Sequence, residues 1–167
     1  MIYYGLYPLK WLGWICIAST DKGLCLISLR SQSPPPSLFQ LASRMNASLE
    51  ENSEKNKNAF RQLKAYWDVN RRDFDLPIDW STIPSAFERR VLQMLQTVPY
   101  GITVSYQELA EMAGAPKAFR AVGNTMRKNP MPIVIPCHRV IRKNSALGGY
   151  TGGLDIKRKL LAIEGIL

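Results

Sequence analysis

The spacing of apolar and polar side chains changes near the middle of the chain. Residues 2–7, 11–19 and 24–30 are short runs of β-branched, aromatic and leucine side chains, and they predict three strands. The TDKG sequence at Thr20–Gly23 predicts a hairpin turn, with Gly23 where a positive φ is needed. SQSPPPS at 31–37 reads as a stiff connector. Leu38, Leu41, Ala42, Met45 and Leu49 recur at helical spacing and predict a helix over 38–49. EENSEKNKN at 50–58 reads as a polar loop or helix start, and Phe60, Leu63, Tyr66 and Trp67 continue it as a short amphipathic helix. RRDFDLPIDWSTIP at 71–84 has no helical period and two prolines, so it reads as an extended linker.

The second half is mostly helical in pattern. Ser85 with Glu88 reads as a capping box, opening a helix whose apolar face is Phe87, Val91, Leu92, Leu95 and Val98. Ser105 with Glu108 forms a second box and opens SYQELAEMAG. Gly114 ends that helix, and Pro116 starts another at a position where a missing N–H costs nothing. Two helices joined by a short glycine-containing turn predict a helix-turn-helix. In its second helix Phe119, Val122 and Met126 should face the core. Arg120, Asn124 and Arg127 lie opposite, a face equally suited to DNA or to water. The expected fold is α+β. A small amino-terminal β-sheet and helix domain (1–78) precedes a mostly helical, winged-helix-like carboxy-terminal domain (79–167).

Charge sharpens this division. Of a formal +9, residues 1–83 hold ten Lys/Arg against eight Asp/Glu, and residues 84–167 hold twelve against five. A basic second half points to a polyanion, most often nucleic acid. No apolar run is long enough to span a membrane, and the apolar start lacks the pattern of a signal peptide. The expected location is therefore cytoplasmic, or nuclear in a eukaryote. Three cysteines, no Cys-x-x-Cys pair and a single histidine argue against a disulfide framework and a structural zinc site. No metal or cofactor is expected.

The candidate chemistry lies in PIVIPCHRVI (132–141), a strand-like run holding Cys137 beside His138, with Arg139 next. A nucleophilic cysteine needs a proton acceptor. Neighbouring side chains on an extended segment point apart, so a bridging water is the natural link from thiol to imidazole. The imidazole in turn needs an orienting carboxylate. Glu164, in the terminal helix LDIKRKLLAIEG, is the candidate, and Asp155 in its first turn is the alternative. A cysteine hydrolase and a non-catalytic binder of damaged DNA are the rival readings. Hydrolases, however, assemble such residues from distant segments.

The string NPMPIVIPCHRVIRKNSALGGYTGG (129–153), with SYQELA and FRAVGNTMRKNP upstream, resembles the O6-alkylguanine-DNA alkyltransferases over about residues 84–165. That resemblance implies a monomeric repair protein acting on double-stranded DNA that contains alkylated guanine, and also on O4-alkylthymine. The damaged base would be flipped out and its alkyl group moved irreversibly to Cys137. His138 and Glu164 would relay the thiol proton through water, Asn129 would brace the active-site turn, and Tyr106 would donate towards the base. Met126, Pro132, Val140, Tyr150, Thr151 and Gly152 would shape the pocket, and backbone groups of Cys137 and Val140 would read the base edge. Gly148, Gly149 and Gly153 would let the loop run close to it. Arg120 would fill the gap in the duplex, with Ala121, Gly123, Asn124 and Arg127 also on DNA. Two positions depart from the family pattern: Thr151 stands where Ser is common, and Phe119 where a small residue is usual.

Overall fold

β1 (Ile2–Leu9) and β2 (Gly13–Thr20) pair antiparallel, and β3 (Gly23–Leu29) adds to β2 in the same sense. β4 (Leu49–Glu51) lies parallel to β1, so the sheet order is β3-β2-β1-β4. The structure, a computed structural model, describes residues 1–167 and falls into two compact units, Met1–Thr82 and Ile83–Leu167. Successive strand residues point to opposite faces. Ile2, Cys16 and Ala18 meet Leu38, Leu41 and Ala42 of α1 (Pro36–Met45). The other face receives α2 (Ser53–Trp67), where Phe60 stacks on Tyr7 with centroids 4.7 Å apart. With both faces covered, Ile15–Ala18 is buried without alternation.

Two expectations for this unit need correcting, and one open alternative is decided. The first helix ends at Met45, not Leu49. Asn46 takes the left-handed conformation (φ 48°) and its N–H caps the helix, a role asparagine tolerates. The chain then turns back, and Leu49 enters β4 while still packing on the same core. Of the two readings of 50–58, the helix start is the one found: the second helix begins at Ser53, where the Asn52 side chain accepts from the Lys55 N–H. Residues 71–82 are not a free linker. The Gln62 amide exchanges hydrogen bonds with the Asp75 backbone, and Ile78 bridges to Leu24. Buried Asp79 accepts from the hydroxyls of Thr20 and Ser81. The same strap explains Gly23, where any Cβ would collide with the Pro77 carbonyl.

The second unit holds α3 (Ala86–Gln96), α4 (Tyr106–Met112), α5 (Phe119–Arg127) and α6 (Leu154–Ile163), with a two-residue parallel pair, β5 (Val104–Ser105) and β6 (Val140–Ile141). Val91, Leu92, Leu95, Leu109, Val122 and Leu160 are all buried in its core. At α4 the capping box is complete. At α3 only half forms: Ser85 accepts from the Glu88 N–H, but the Glu88 carboxylate turns to Lys128 at 3.0 Å. α5 begins at Phe119, not Pro116, because residues 115–118 close a turn through Ala118 N–H to Ala115 C=O. Phe119 is therefore the first helical residue, beyond the last core contact, and is 44% exposed. Its helical spacing matched a core position, but the core starts only at Val122. No helix is long and apolar enough to cross a membrane.

Candidate functional site around Cys137

The expected strand through the thiol is short. Only Val140–Ile141 pair as strand, and Cys137–Arg139 form one tight 3-10 turn after Pro136. Upstream, Pro132 and Ile135 bridge across a reversal in which Ile133 has φ 75°. A β-branched residue rarely adopts that conformation, so the surroundings must hold it. Asn129 does so from both sides. Its amide donates to Ile135 C=O at 2.9 Å, and its oxygen accepts from Met131 N–H at 3.0 Å.

Side chains in a 3-10 turn step by a third of a revolution, which separates the three functional groups. Cys137 reaches the wall of a cavity of about 730 Å³. His138 and Arg139 turn inward and converge on Glu164 at the end of α6. His138 Nε2 lies 2.7 Å from Glu164 Oε1. Arg139 binds the same carboxylate through Nε (3.0 Å) and Nη2 (2.9 Å), and through Nη1 it donates to Val98 C=O. Gly101 N–H completes the set on Glu164 Oε2 at 3.0 Å. With Nε2 carrying the proton towards the carboxylate, Nδ1 is the basic nitrogen of the neutral ring. Burial pushes the His138 pKa down, Glu164 opposes this, and Arg139 adds to the lowering.

Burial likewise pushes the Cys137 thiol up. Asn129, the Lys157 charge, its own backbone and the Tyr150 hydroxyl all pull it the other way. Tyr106, at the start of α4, shares the cavity with Cys137. Its pKa is raised by burial and by negative charge at Cys137, and lowered by Arg142 and Arg127. Gly148 (φ 71°) sits under this phenol: a Cβ there would lie 3.1 Å from Tyr106 Oη. The remaining walls are Phe119, Arg120, Gly123, Asn124, Met126, Gly149 and Thr151. No group of three or more His, Cys, Asp or Glu side chains is arranged to hold a metal.

Sequence comparison agrees with this arrangement at both ends of the chain. Residues 2–80 match the ribonuclease-like domain of 6-O-methylguanine DNA methyltransferase, and residues 86–166 match its DNA-binding domain. The chain is 42% identical over 153 residues to the methylated-DNA–protein-cysteine methyltransferase of Mycolicibacterium paratuberculosis, covering 92% of this chain and 87% of the relative. It is 36% identical over 166 residues to the inducible enzyme of Bacillus subtilis, covering 98% and 90%. The chain belongs to the 6-O-methylguanine DNA methyltransferase family. Among solved structures, the Mycobacterium tuberculosis O6-methylguanine methyltransferase superposes with a TM-score of 0.79 at 34% identity, covering 98% of this chain and 93% of that one. The M. tuberculosis OGT structure in complex with DNA gives the same score at 33% identity, covering 97% and 92%.

Within this family member, the residues singled out from the sequence divide into three groups. Cys137, Tyr106, Met126, Tyr150, Thr151, Arg120, Gly123, Asn124 and Arg127 line one cavity. His138, Glu164 and Asn129 stand behind it in hydrogen-bonded positions. Pro132, Val140, Gly152 and Ala121 are outside the lining; Val140 is fully buried in β6, and Ala121 is exposed on α5. Of the loop glycines only Gly148 and Gly153 have positive φ. Asp155 stays in the first turn of α6, where its charge suits the helix dipole. Phe119 and Arg142 line the cavity, which the sequence reading did not anticipate for either. It also gave no role to Arg139 or to buried Lys157. The signal for Arg139 was its place directly after Cys-His; Lys157 looked like one more cation on an amphipathic helix.

Proposed function

We propose that this chain repairs DNA by direct reversal, moving the alkyl group of O6-alkylguanine in double-stranded DNA irreversibly to Cys137. The observation that carries the reading is the position of Cys137: its thiol opens on a cavity beside Tyr106 with ample room for a flipped base, and its turn anchors the buried His138–Glu164–Arg139 cluster. A lesion inside a duplex cannot reach such a thiol, so the nucleotide is flipped out at a cost of about a few kcal/mol. Arg120, exposed at the start of α5, fills the vacancy, and Asn124, Arg127, Ala121 and Gly123 lie along the DNA.

In the cavity, His138 Nδ1 takes the thiol proton through a water. The sulfur lone pair forms the S–C bond, the C–O6 bond breaks, and guanine leaves with the electron pair. Tyr106 hydrogen-bonds to the leaving base, the kind of electrostatic help that matters most where charge develops. Thr151 and Tyr150 border the alkyl group. Pro132 and Gly152 act indirectly, by fixing the turn and the loop. The Val140 carbonyl already accepts from Lys157, and its second lone pair can accept from the base. O4-alkylthymine presents the same kind of O-alkyl carbon and is a second substrate. The protein works as a monomer wherever its DNA is, in the cytoplasm or in a nucleus.

Incubation with excess methylated duplex, followed by intact mass and peptide mapping, tests the reading. One methyl per protein, on the peptide containing Cys137 and absent from a Cys137→Ser variant, is the expected result. Sustained turnover, or a methyl on Cys16 or Cys25, would overturn it.

A further inference from the structure

Phe119 is the one exposed aromatic side chain of the second unit. It sits in the first turn of α5, three residues before the buried face begins at Val122. A single exposed apolar side chain is ordinary on a protein surface. This one forms part of the wall of the Cys137 cavity, together with Arg120. Consecutive helical side chains normally point apart, yet the Arg120 guanidinium lies over the Phe119 ring, 5.9 Å from its centroid. Gly123, one turn further along the same side of α5, lies against the Tyr106 ring: a Cβ there would be 3.9 Å from Cδ1. The Phe119 ring and the Arg120 guanidinium therefore stand together at the exposed rim, and the Tyr106 phenol and the Cys137 thiol lie deeper. The surface around the ring is positive. Lys117, Arg120 and Arg127 are exposed, and residues 116–128 contain no Asp or Glu.

We propose that Phe119 is a DNA-stacking residue: when the damaged nucleotide flips into the cavity, the Phe119 ring covers the uncovered face of a neighbouring base. The inference extends the reading of the cavity as an alkylguanine site and rests on it. Flipping removes one base from between two neighbours and uncovers a face on each. Apolar side chains set against such opened steps are a general device for holding a duplex apart. Arg120 and Phe119 supply two flat groups at one rim, so the guanidinium in the gap serves one face and the ring the other. A flat apolar ring among cations is also the right surface for a base with phosphates on either side. Every base has a π-face, so the contact works in any sequence context.

The test crosses changes in the full chain with changes in the DNA. Phe119→Ala, Phe119→Leu and Phe119→Trp are each combined with Cys137→Ser, so that no transfer consumes the complex. Binding to a duplex containing O6-methylguanine is measured by fluorescence anisotropy. Phe119→Ala should weaken binding about tenfold, within the roughly 5- to 150-fold that one base–aromatic stack is worth. Phe119→Trp should bind like the Cys137→Ser parent, and Phe119→Leu, apolar but not flat, like Phe119→Ala. The slope of affinity against salt should not change, because the ring neutralises no phosphate. The measurement is then repeated on duplexes in which each base next to the lesion, or next to its unpaired partner, is replaced in turn by an abasic site. At one of these sites the parent should keep no more than about a twofold advantage over Phe119→Ala, since the two changes delete the same contact. An advantage that survives at every abasic site, or full rescue by leucine, would overturn the proposal. A wild-type chain that takes no methyl from the lesion duplex would overturn the underlying reading instead, and the abasic series, which needs no transfer, would still decide the role of Phe119.

Discussion

Replacing Glu164 by glutamine keeps its volume and deletes its charge, which isolates what the carboxylate does. Its side chain is fully buried and accepts from four groups: both arms of Arg139, His138 Nε2 and the Gly101 N–H. The amide has one oxygen where the carboxylate had two, and its NH2 must face one of these donors. Arg139, only 7% exposed at its side chain, loses its counter-charge. Breaking a buried pair by removing one partner costs about 3–5 kcal/mol. For a chain of this size each kcal/mol lowers Tm by roughly 2–4 °C, so the expected fall is roughly 6–20 °C. Thermal melting monitored by circular dichroism measures it. Most of the cost should come from the stranded guanidinium, and adding Arg139→Met should then cost less than the sum of the two single changes. Groups in one network show coupling of about 0.5–3 kcal/mol. A fall under ~3 °C, or strict additivity of the two changes, would refute the account of Glu164 as the centre of the cluster.

Arg120→Ala should slow repair of duplex DNA far more than reaction with free alkylated guanine, because only the duplex has to be opened; equal losses in the two assays would move Arg120 into the chemistry or the fold. Asn129→Ala strands the Ile135 carbonyl and the Met131 N–H, so it should cost about 1–3 kcal/mol in urea unfolding and slow transfer as well. A stable Asn129→Ala protein with full activity would remove Asn129 as the brace of the turn. His138 has a folded pKa below its unfolded value of about 6.5, so below that pH the unfolded state binds more protons and stability should fall. Urea midpoints taken downward from neutral pH should show that slope, and a His138→Gln variant should lose part of it.

The helical half of the fold was largely legible in the sequence because its signals are local. The α4 box needs only Ser105 and Glu108, and the apolar faces of α3 and α5 follow one period. What stayed hidden depended on groups distant in sequence. Leu49 fits the α1 period, yet it pairs beside β1, because Asn46 ends the helix. Residues 71–82 look like a linker until Leu24, Gln62 and Thr20 supply partners. At the site, Cys137, His138 and Glu164 were readable from the PCHRV string and a carboxylate in the last helix. The Ile133 reversal, the bond from Lys157 to Val140 and the exposure of Phe119 were not, since each depends on packing rather than on neighbours in the chain.

Why an arginine follows Cys137 and His138 is a question of charge. A buried imidazole facing a carboxylate of its own would be drawn towards the imidazolium form, and a ring protonated on both nitrogens has no lone pair for the thiol proton that the proposed mechanism hands to it. Glu164 is not His138's alone. Arg139 donates to both of its oxygens, and that nearby positive charge also lowers the His138 pKa. The carboxylate can then fix the ring through Nε2 without keeping it charged. The 3-10 turn makes the sharing possible, since three consecutive side chains leave it in three directions, one towards the cavity and two towards Glu164. An extended strand would alternate its side chains between two faces and send His138 and Arg139 apart. The proline before the thiol, the turn it introduces and the arginine that closes it therefore form one device. It leaves a neutral imidazole behind a desolvated thiol, with the compensating charges already buried and paired, the arrangement that the proposed mechanism requires.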